Sequence, residues 1–140
     1  MKVIYQTSAG GIVYKGNLWL ITQHSQHKGW VFPKGLVGDK DGNESMEKAA
    51  LREVEEESGI KAKIIIDKPI ITNYEYKWNG DLIKKTVYYF FMEYISGDPK
   101  NHDWEMMDAK FVSADEVKNT LTYKSDREAF EKIWKTVKHD

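Results

Sequence analysis

The chain has 140 residues, of which 41% are hydrophobic and 31% charged, with a formal net charge of −1 and no cysteine. That length favours a single domain, residues 1–140, burying roughly two-thirds of the surface its unfolded form exposes. The missing cysteines exclude a disulfide scaffold, a zinc ribbon and a thiolate catalyst; the near-zero charge offers nucleic acid no global attraction; and no apolar run reaches the roughly 18 residues of a membrane span.

In chain order, strands are predicted over Lys2–Thr7 and Ile12–Tyr14, flanking Ser8-Ala9-Gly10-Gly11, and over Leu18–Thr22 after the turn residues Gly16-Asn17. The N-terminal stretch lacks the apolar core of a signal peptide, so a cytoplasmic location is expected. Trp30–Phe32 is a short apolar run stopped by Pro33, and a polar loop follows from Lys34 to Glu44. A helix is predicted over 45–58, with Ser45 as N-cap and Gly59 as the left-handed residue beyond its end. Two β segments come next, Ala62–Ile66 and Ile70–Trp78. Asn79-Gly80 is a hairpin signal, and its second arm, Ile83–Ile95, is apolar on both faces and so reads as a central strand. Lys110–Val112 adds one short strand. Ser113-x-x-Glu116 and Ser125-x-x-Glu128 read as capping boxes opening two final helices. The last of these carries Phe130, Ile133, Trp134 and Val137 at helical spacing. The expected fold class is α+β, an α/β/α sandwich with a mixed sheet between helices.

The 45–58 helix carries the functional information. On a wheel with 100° steps, Met46, Ala49, Ala50 and Val54 share one face, and Glu53, Glu56 and Glu57 fall on or beside it. Only Glu55 points squarely outward. Four glutamates in the last two turns also oppose the helix dipole, which favours cations there. A solvated acidic stretch is the plain alternative, but the orientation and polarity argue for a compensating cation. Glutamates one turn apart share hard divalent ions through oxygen, so Mg²⁺ or Mn²⁺ is the natural occupant. Arg52, beside Glu53 and one turn before Glu56, has the geometry to orient a carboxylate.

These residues also spell a known pattern. Gly38-x5-Glu44-x7-Arg52-Glu53-Val54-Glu55-Glu56-Glu57-Ser58-Gly59-Ile60 resembles the Nudix box at every fixed position. Ala9-Gly10-Gly11-Ile12-Val13 and Trp30-Val31-Phe32-Pro33-Lys34-Gly35 resemble the family's flanking segments. One departure is that the glycine of Pro-Lys-Gly is Gly35, nine positions before Glu44, so the loop over 36–43 is read as about three residues longer than usual. Gly35 and Gly38 are therefore both candidates for the glycine that completes a metal shell.

The resemblance implies a hydrolase of a nucleoside diphosphate linked to a further group, with the box as loop–helix–loop. It implies Glu53, Glu56 and Glu57 as metal ligands with the Gly35 carbonyl, Arg52 as the residue orienting Glu53, Glu44 as a brace, and Gly38 and Gly59 as structural box positions. Lys85-Thr86-Val87-Tyr88-Tyr89-Phe90, His102-x-Trp104-Glu105 and Leu121-Thr122-Tyr123-x-x-Asp126-Arg127 resemble segments of the diadenosine polyphosphate hydrolases within that superfamily. Glu105 is then a further ligand or the general base, and Lys34 and Lys85 meet phosphate. Tyr74, Tyr76 and Tyr89 are candidates to stack on a base. His24 and His27 are expected at the core edge or in solvent. The leading expectation is Mg²⁺-dependent asymmetric cleavage of diadenosine tetraphosphate to ATP and AMP. The alternatives are a nucleoside triphosphate pyrophosphohydrolase and a non-catalytic nucleotide-binding module. The expected partner is a nucleotide, with no membrane or nucleic acid, and the expected state is monomer or homodimer.

Overall fold

The computed structural model describes residues 1–38 and 42–137, so the lengthened loop expected over 36–43 lies partly outside the described residues. The strands are β1 (Val3–Lys15), β2 (Leu18–His24), β3 (Trp30–Val31), β4 (Lys34–Leu36), β5 (Ile60–Trp78), β6 (Asp81–Gly97) and β7 (Met106–Val112). The helices are α1 (Met46–Ser58), α2 (Ala114–Thr120) and α3 (Lys124–Thr136). All seven strands form one mixed sheet in the order β3-β2-β1-β6-β5, with β4 added to β1 and β7 to β2. β1 and β6 run parallel along twelve paired positions, from Val3↔Leu82 to Tyr14↔Glu93. Among the described residues, no helix is long and apolar enough to cross a membrane.

The sheet separates two cores. On one face Ala49, Ala50 and Val54 of α1 pack with Ala9, Val13, Leu20, Phe90 and Met92. On the other, Val117 of α2 and Ala129, Phe130 and Ile133 of α3 pack with Ile12, Ile21, Val87, Tyr89 and Phe91. Alternation along each strand produces this division, since neighbours such as Ile12/Val13 and Tyr89/Phe90 point to opposite faces. The expected three-layer sandwich is therefore the observed fold, and β6 is the central strand covered on both sides.

Four local expectations are corrected. Residues 8–11 do not interrupt β1, because Ala9-Gly10-Gly11 continue the strand. Gly11 is there to admit neighbours: a Cβ on it would stand 2.6 Å from the Met92 sulfur and 2.8 Å from a Val54 methyl. The predicted loop from Lys34 begins with β4, which pairs Lys34, Gly35 and Leu36 with Gly10, Ala9 and Ser8. The two β segments expected either side of Asp67 are one long strand, β5, which absorbs the interruption as register shifts between 61 and 70. Ser125 does not cap α3. The N-cap position falls two residues earlier, at Tyr123, which makes no side-chain cap bond, so that the helix starts at Lys124; Arg127 Nη1 donates to the carbonyls of Leu121 and Thr122 at 2.9 and 3.0 Å. The other caps form as expected. Ser45 Oγ accepts from Lys48 N–H at 3.2 Å and Ser113 Oγ from Glu116 N–H at 3.2 Å, while Asn79 and Gly80 both take positive φ in the hairpin turn.

Candidate active site

The inward wheel positions of α1 bury Glu53 and Glu57 and leave Glu56 partly open, while Glu55 is exposed. Arg52 does not extend into water. Its guanidinium folds back along the helix and grips Glu44 with two bonds, Nε to Oε2 at 2.7 Å and Nη2 to Oε1 at 2.8 Å. The remaining nitrogen, Nη1, reaches Glu53 Oε2 at 2.9 Å and Glu56 Oε2 at 2.8 Å. The pair with Glu44 holds that carboxyl below its usual range and raises the guanidinium above its own. One cation thus ties the loop residue Glu44 to two glutamates a turn apart.

The two candidate glycines divide the work. Gly35 lies against the Glu53 carboxyl, so any side chain there would collide with it. Gly38 takes φ 78° and its backbone hydrogen-bonds the Glu44 carboxylate. Gly35 is therefore the glycine at the carboxylate cluster, and Gly38 secures the brace. Glu57 Oε1 accepts the Lys34 backbone N–H at 3.1 Å, and burial pushes this carboxyl up to about 8 against the pull of Lys34. Among the described residues no three acidic or imidazole groups are gathered closely enough, as placed, to hold an ion. The donor set nonetheless suits a hard divalent cation: three glutamates and a glycine backbone line one cleft, and two of the three carboxylates are buried.

The cleft encloses about 1000 Å³. Its floor is the α3-side face of the sheet where the helices stop covering it. Cross-strand register places Gln6, Lys85 and Tyr74 in one row and Ile83 and Tyr76 in another, and these five residues line the cleft. Tyr74 and Tyr76 stack with ring centres 6.0 Å apart and planes at 25°. Lys34, on β4, turns to the same face while its neighbour Gly35 turns to α1, so one short strand serves both halves of the cleft. Burial alone would lower the Lys34 ammonium, but Tyr74, Asp126, Glu57 and Tyr123 outweigh it and raise its pKa. Lys85 has less such company: burial and then the Lys34 charge outweigh Glu57 and lower it to about 8.

The rim is tied down by backbone bonds. The Asp103 N–H donates to Glu56 O at 3.2 Å, at the C-terminal end of α1. Ser25 donates to Glu105 O through both N–H and Oγ, at 3.0 and 2.8 Å. This brings Asp103 and Glu105 to the cleft wall. Beside them, His24 and His27 stack at 4.3 Å with planes at 8°. Each Nδ1 accepts a backbone N–H, from Gln26 at 3.1 Å and from Gly29 at 3.0 Å. Burial, followed by neighbouring positive charge, lowers both imidazoles.

The NUDIX domain profile matches residues 4–133, nearly the whole chain. The chain belongs to the Nudix family. It is a Nudix domain, and Arg52–Glu57 is the stretch that resembles the family's box. A Mycobacterium tuberculosis relative named as a mutator protein, MutT4, is 28% identical over 137 residues, and the match takes in 91% of this chain; this chain spans about half, 54%, of that relative's length. Among solved structures, a C. elegans Ap4A hydrolase binary complex superposes with a TM-score of 0.72 at 21% identity, covering 94% of this chain and 97% of that one. A MutT protein from Methanosarcina mazei Go1 gives 0.69 at 19% identity over 99% of both chains, and a Nitrosomonas europaea NUDIX hydrolase gives 0.70 at 18% identity, covering 94% of this chain and 89% of that one. These likenesses establish the Nudix fold.

Of the residues singled out from sequence, Lys34, Gly35, Glu53, Glu56, Glu57, Tyr76, Lys85 and Glu105 line this single cleft. Tyr89 does not. It is fully buried, and its hydroxyl lies 2.6 Å from Asp126 Oδ1, so it supports the wall and has no face free for a base. His24 is half-buried and His27 exposed, the core-edge and solvated places expected, and both also line the cleft. Sequence reasoning assigned no site role to Gln6, Ser8, Asp103, Tyr123 or Asp126, all on the cleft wall. For Gln6 and Ser8 local sequence carries no facial signal, since Gln6-Thr7-Ser8 is an unbroken polar run without alternation.

Proposed function

We propose that this Nudix domain hydrolyses a dinucleoside polyphosphate, diadenosine tetraphosphate being the leading candidate, asymmetrically to ATP and AMP. The observation that carries the reading is the continuity of the cleft. The α1 carboxylates open directly onto a floor of two lysines and two stacked tyrosines, within about 1000 Å³. A polyphosphate suits the lysines, and a base suits the tyrosine faces. The likeness to an Ap4A hydrolase in fold supports the same reading.

Glu53, Glu56 and Glu57, with the Gly35 carbonyl, are the residues that would hold Mg²⁺ or Mn²⁺. Such an ion, when bound, neutralises pyrophosphate oxygens and lowers the pKa of attacking water. Arg52 keeps Glu53 and Glu56 facing the cleft and fixes both to the Glu44 brace. Lys34 and Lys85 orient the phosphate chain. Glu105, exposed on the pinned rim, accepts the proton of the attacking water. The water oxygen joins one phosphorus, one phosphoanhydride bond breaks, and the two fragments leave as AMP and ATP.

The test is anion-exchange analysis of diadenosine tetraphosphate incubated with the protein and Mg²⁺, with EDTA as control. Equal ATP and AMP, abolished by EDTA, is the expected result. Two ADP would overturn the asymmetric cut, and no product would overturn the substrate. A second reading, pyrophosphohydrolysis of nucleoside triphosphates, draws on the mutator-protein relative, and nucleoside monophosphate release from a triphosphate would favour it.

A further inference from the structure

Ser8 is fully buried on β1, and its hydroxyl has no hydrogen-bond partner, although the residue lines the cleft. Leaving a buried hydroxyl unpaired is unfavourable, and such a group in a cleft calls for an account. Register supplies the surroundings. Ser8 pairs with Leu36 on one side and Val87 on the other. Lys34 lies two residues from Leu36, Lys85 two residues from Val87, and all share the α3-side face. Ser8 therefore stands on the diagonal between the two lysines, within reach of both long side chains. Two ammonium groups thus flank Ser8 on one partly buried floor, a placement suited to an anion between them.

We infer that Ser8 is a further substrate-binding residue: its hydroxyl donates to an anionic phosphate oxygen held between Lys34 and Lys85, on the sheet floor beyond the α1 carboxylates. The inference rests on the polyphosphate reading above and adds to it a second phosphate position, on the α3-side face of the sheet rather than among the α1 carboxylates. A substrate with a long phosphate chain fills both positions, and a short pyrophosphate fills one.

The probe is inorganic tripolyphosphate, titrated calorimetrically in EDTA so that binding is read without metal or turnover. Wild-type protein is expected to bind it, and Ser8→Ala to bind at least about tenfold more weakly, the range for a hydrogen bond to a charged group. The Ser8→Ala apo protein is expected to melt at or above the wild-type temperature, because an unpaired buried hydroxyl has been removed. Ser8→Cys, nearly isosteric with a weak donor, serves if the alanine variant does not fold, and is expected to weaken binding likewise. In a Ser8→Ala/Lys85→Met cycle the two losses are expected to be non-additive. Failure of the wild type to bind, affinity within twofold of wild type in a folded variant, or a lowered melting temperature with unchanged affinity would each overturn the assignment. ATP and AMP from diadenosine tetraphosphate with Ser8-independent binding would overturn this inference alone. Ser8-dependent binding without that cleavage would overturn only the substrate.

Discussion

At the scale of single residues, the site is organised by one arginine and two lysines in different electrostatic company. Arg52 sits among carboxylates and is held charged. Glu53 is the carboxylate that touches both Arg52 and Gly35, so Glu53→Gln isolates its ligand role while an amide oxygen preserves the bond to Nη1. That variant is expected to lose more than about a hundredfold in kcat, about 3 kcal/mol of barrier, with an unchanged urea midpoint. Activity within a few-fold of wild type would remove Glu53 from the ligand set. Lys85 stands apart because burial and Lys34 lower it from 10.5 to about 8. In the folded state its charged form is disfavoured, so the penalty is fully present below pH 8. It is relieved as pH rises from 8 towards 10.5, where the unfolded chain still binds the proton. The stability of wild type relative to Lys85→Met is therefore expected to rise between pH 8 and 10 in urea titrations. Tripolyphosphate affinity is expected to fall over the same interval as the ammonium discharges. A stability difference that is flat or falls with pH would contradict the assigned shift.

At the scale of elements, α1 was legible in detail and its neighbours less so. Its cap, its C-terminal glycine and its inward glutamates all follow from local spacing, and local spacing is what sequence records most directly. β4 escaped notice because three residues with two glycine or lysine positions carry no alternation; it exists through pairing with β1, a partner far away in sequence. The start of α3 was displaced by two residues: the chain turns helical before Ser125, which falls inside the first turn, and the Arg127 side chain secures the Leu121 and Thr122 carbonyls that precede the helix. Gly59 joins what α1 encodes to what the fold adds. It closes the helix at φ 74°, donating to Glu55 O at 2.8 Å, and its Cα faces the 98–101 turn, where a Cβ would meet Asp98 O at 2.7 Å. Gly59→Ala is expected to destabilise by about 2–3 kcal/mol, combining left-handed strain with that collision. It is also expected to lower kcat per folded molecule, because the same segment leads to Asp103 and Glu105. Gly16→Ala is the control: φ is 63° there, but nothing lies within 4 Å, so only the strain of about 1 kcal/mol is expected and activity is retained. Equal losses for the two would show that the contact with the 98–101 turn carries no weight.

At the scale of the whole molecule, the sheet is both the support and the floor of the site, and its two faces have different tasks. The α1 face carries the carboxylates and the α3 face carries the lysines and tyrosines, while β4 at the edge joins them into one cleft. The layer order was legible because apolar residues on both faces of β6 demand covering from both sides. The cleft wall was not, because it depends on where α3 comes to rest. Asp126 and Tyr89 are 37 residues apart, and nothing in either segment announces the other. Their bond, 2.6 Å between Tyr89 Oη and Asp126 Oδ1, joins the first turn of α3 to the central strand beneath the cleft. Burial raises Asp126 and Tyr89 alike, so each group depends on the other for its hydrogen bond. Tyr89→Phe leaves a buried carboxyl without its donor and is expected to lower stability by about 1–3 kcal/mol. Because Asp126 and Lys34 face the same cleft and feel each other's charge, the loss should also reach the floor. KM for the polyphosphate substrate is expected to rise several-fold while kcat stays near wild type, since the α1 cluster on the opposite face is untouched. Urea titration and steady-state kinetics on the one variant read both effects. A lowered midpoint with unchanged KM would confine the Tyr89–Asp126 bond to the core, whereas a fall in kcat of the size expected for Glu53→Gln would mean that the two faces of the sheet are not separable.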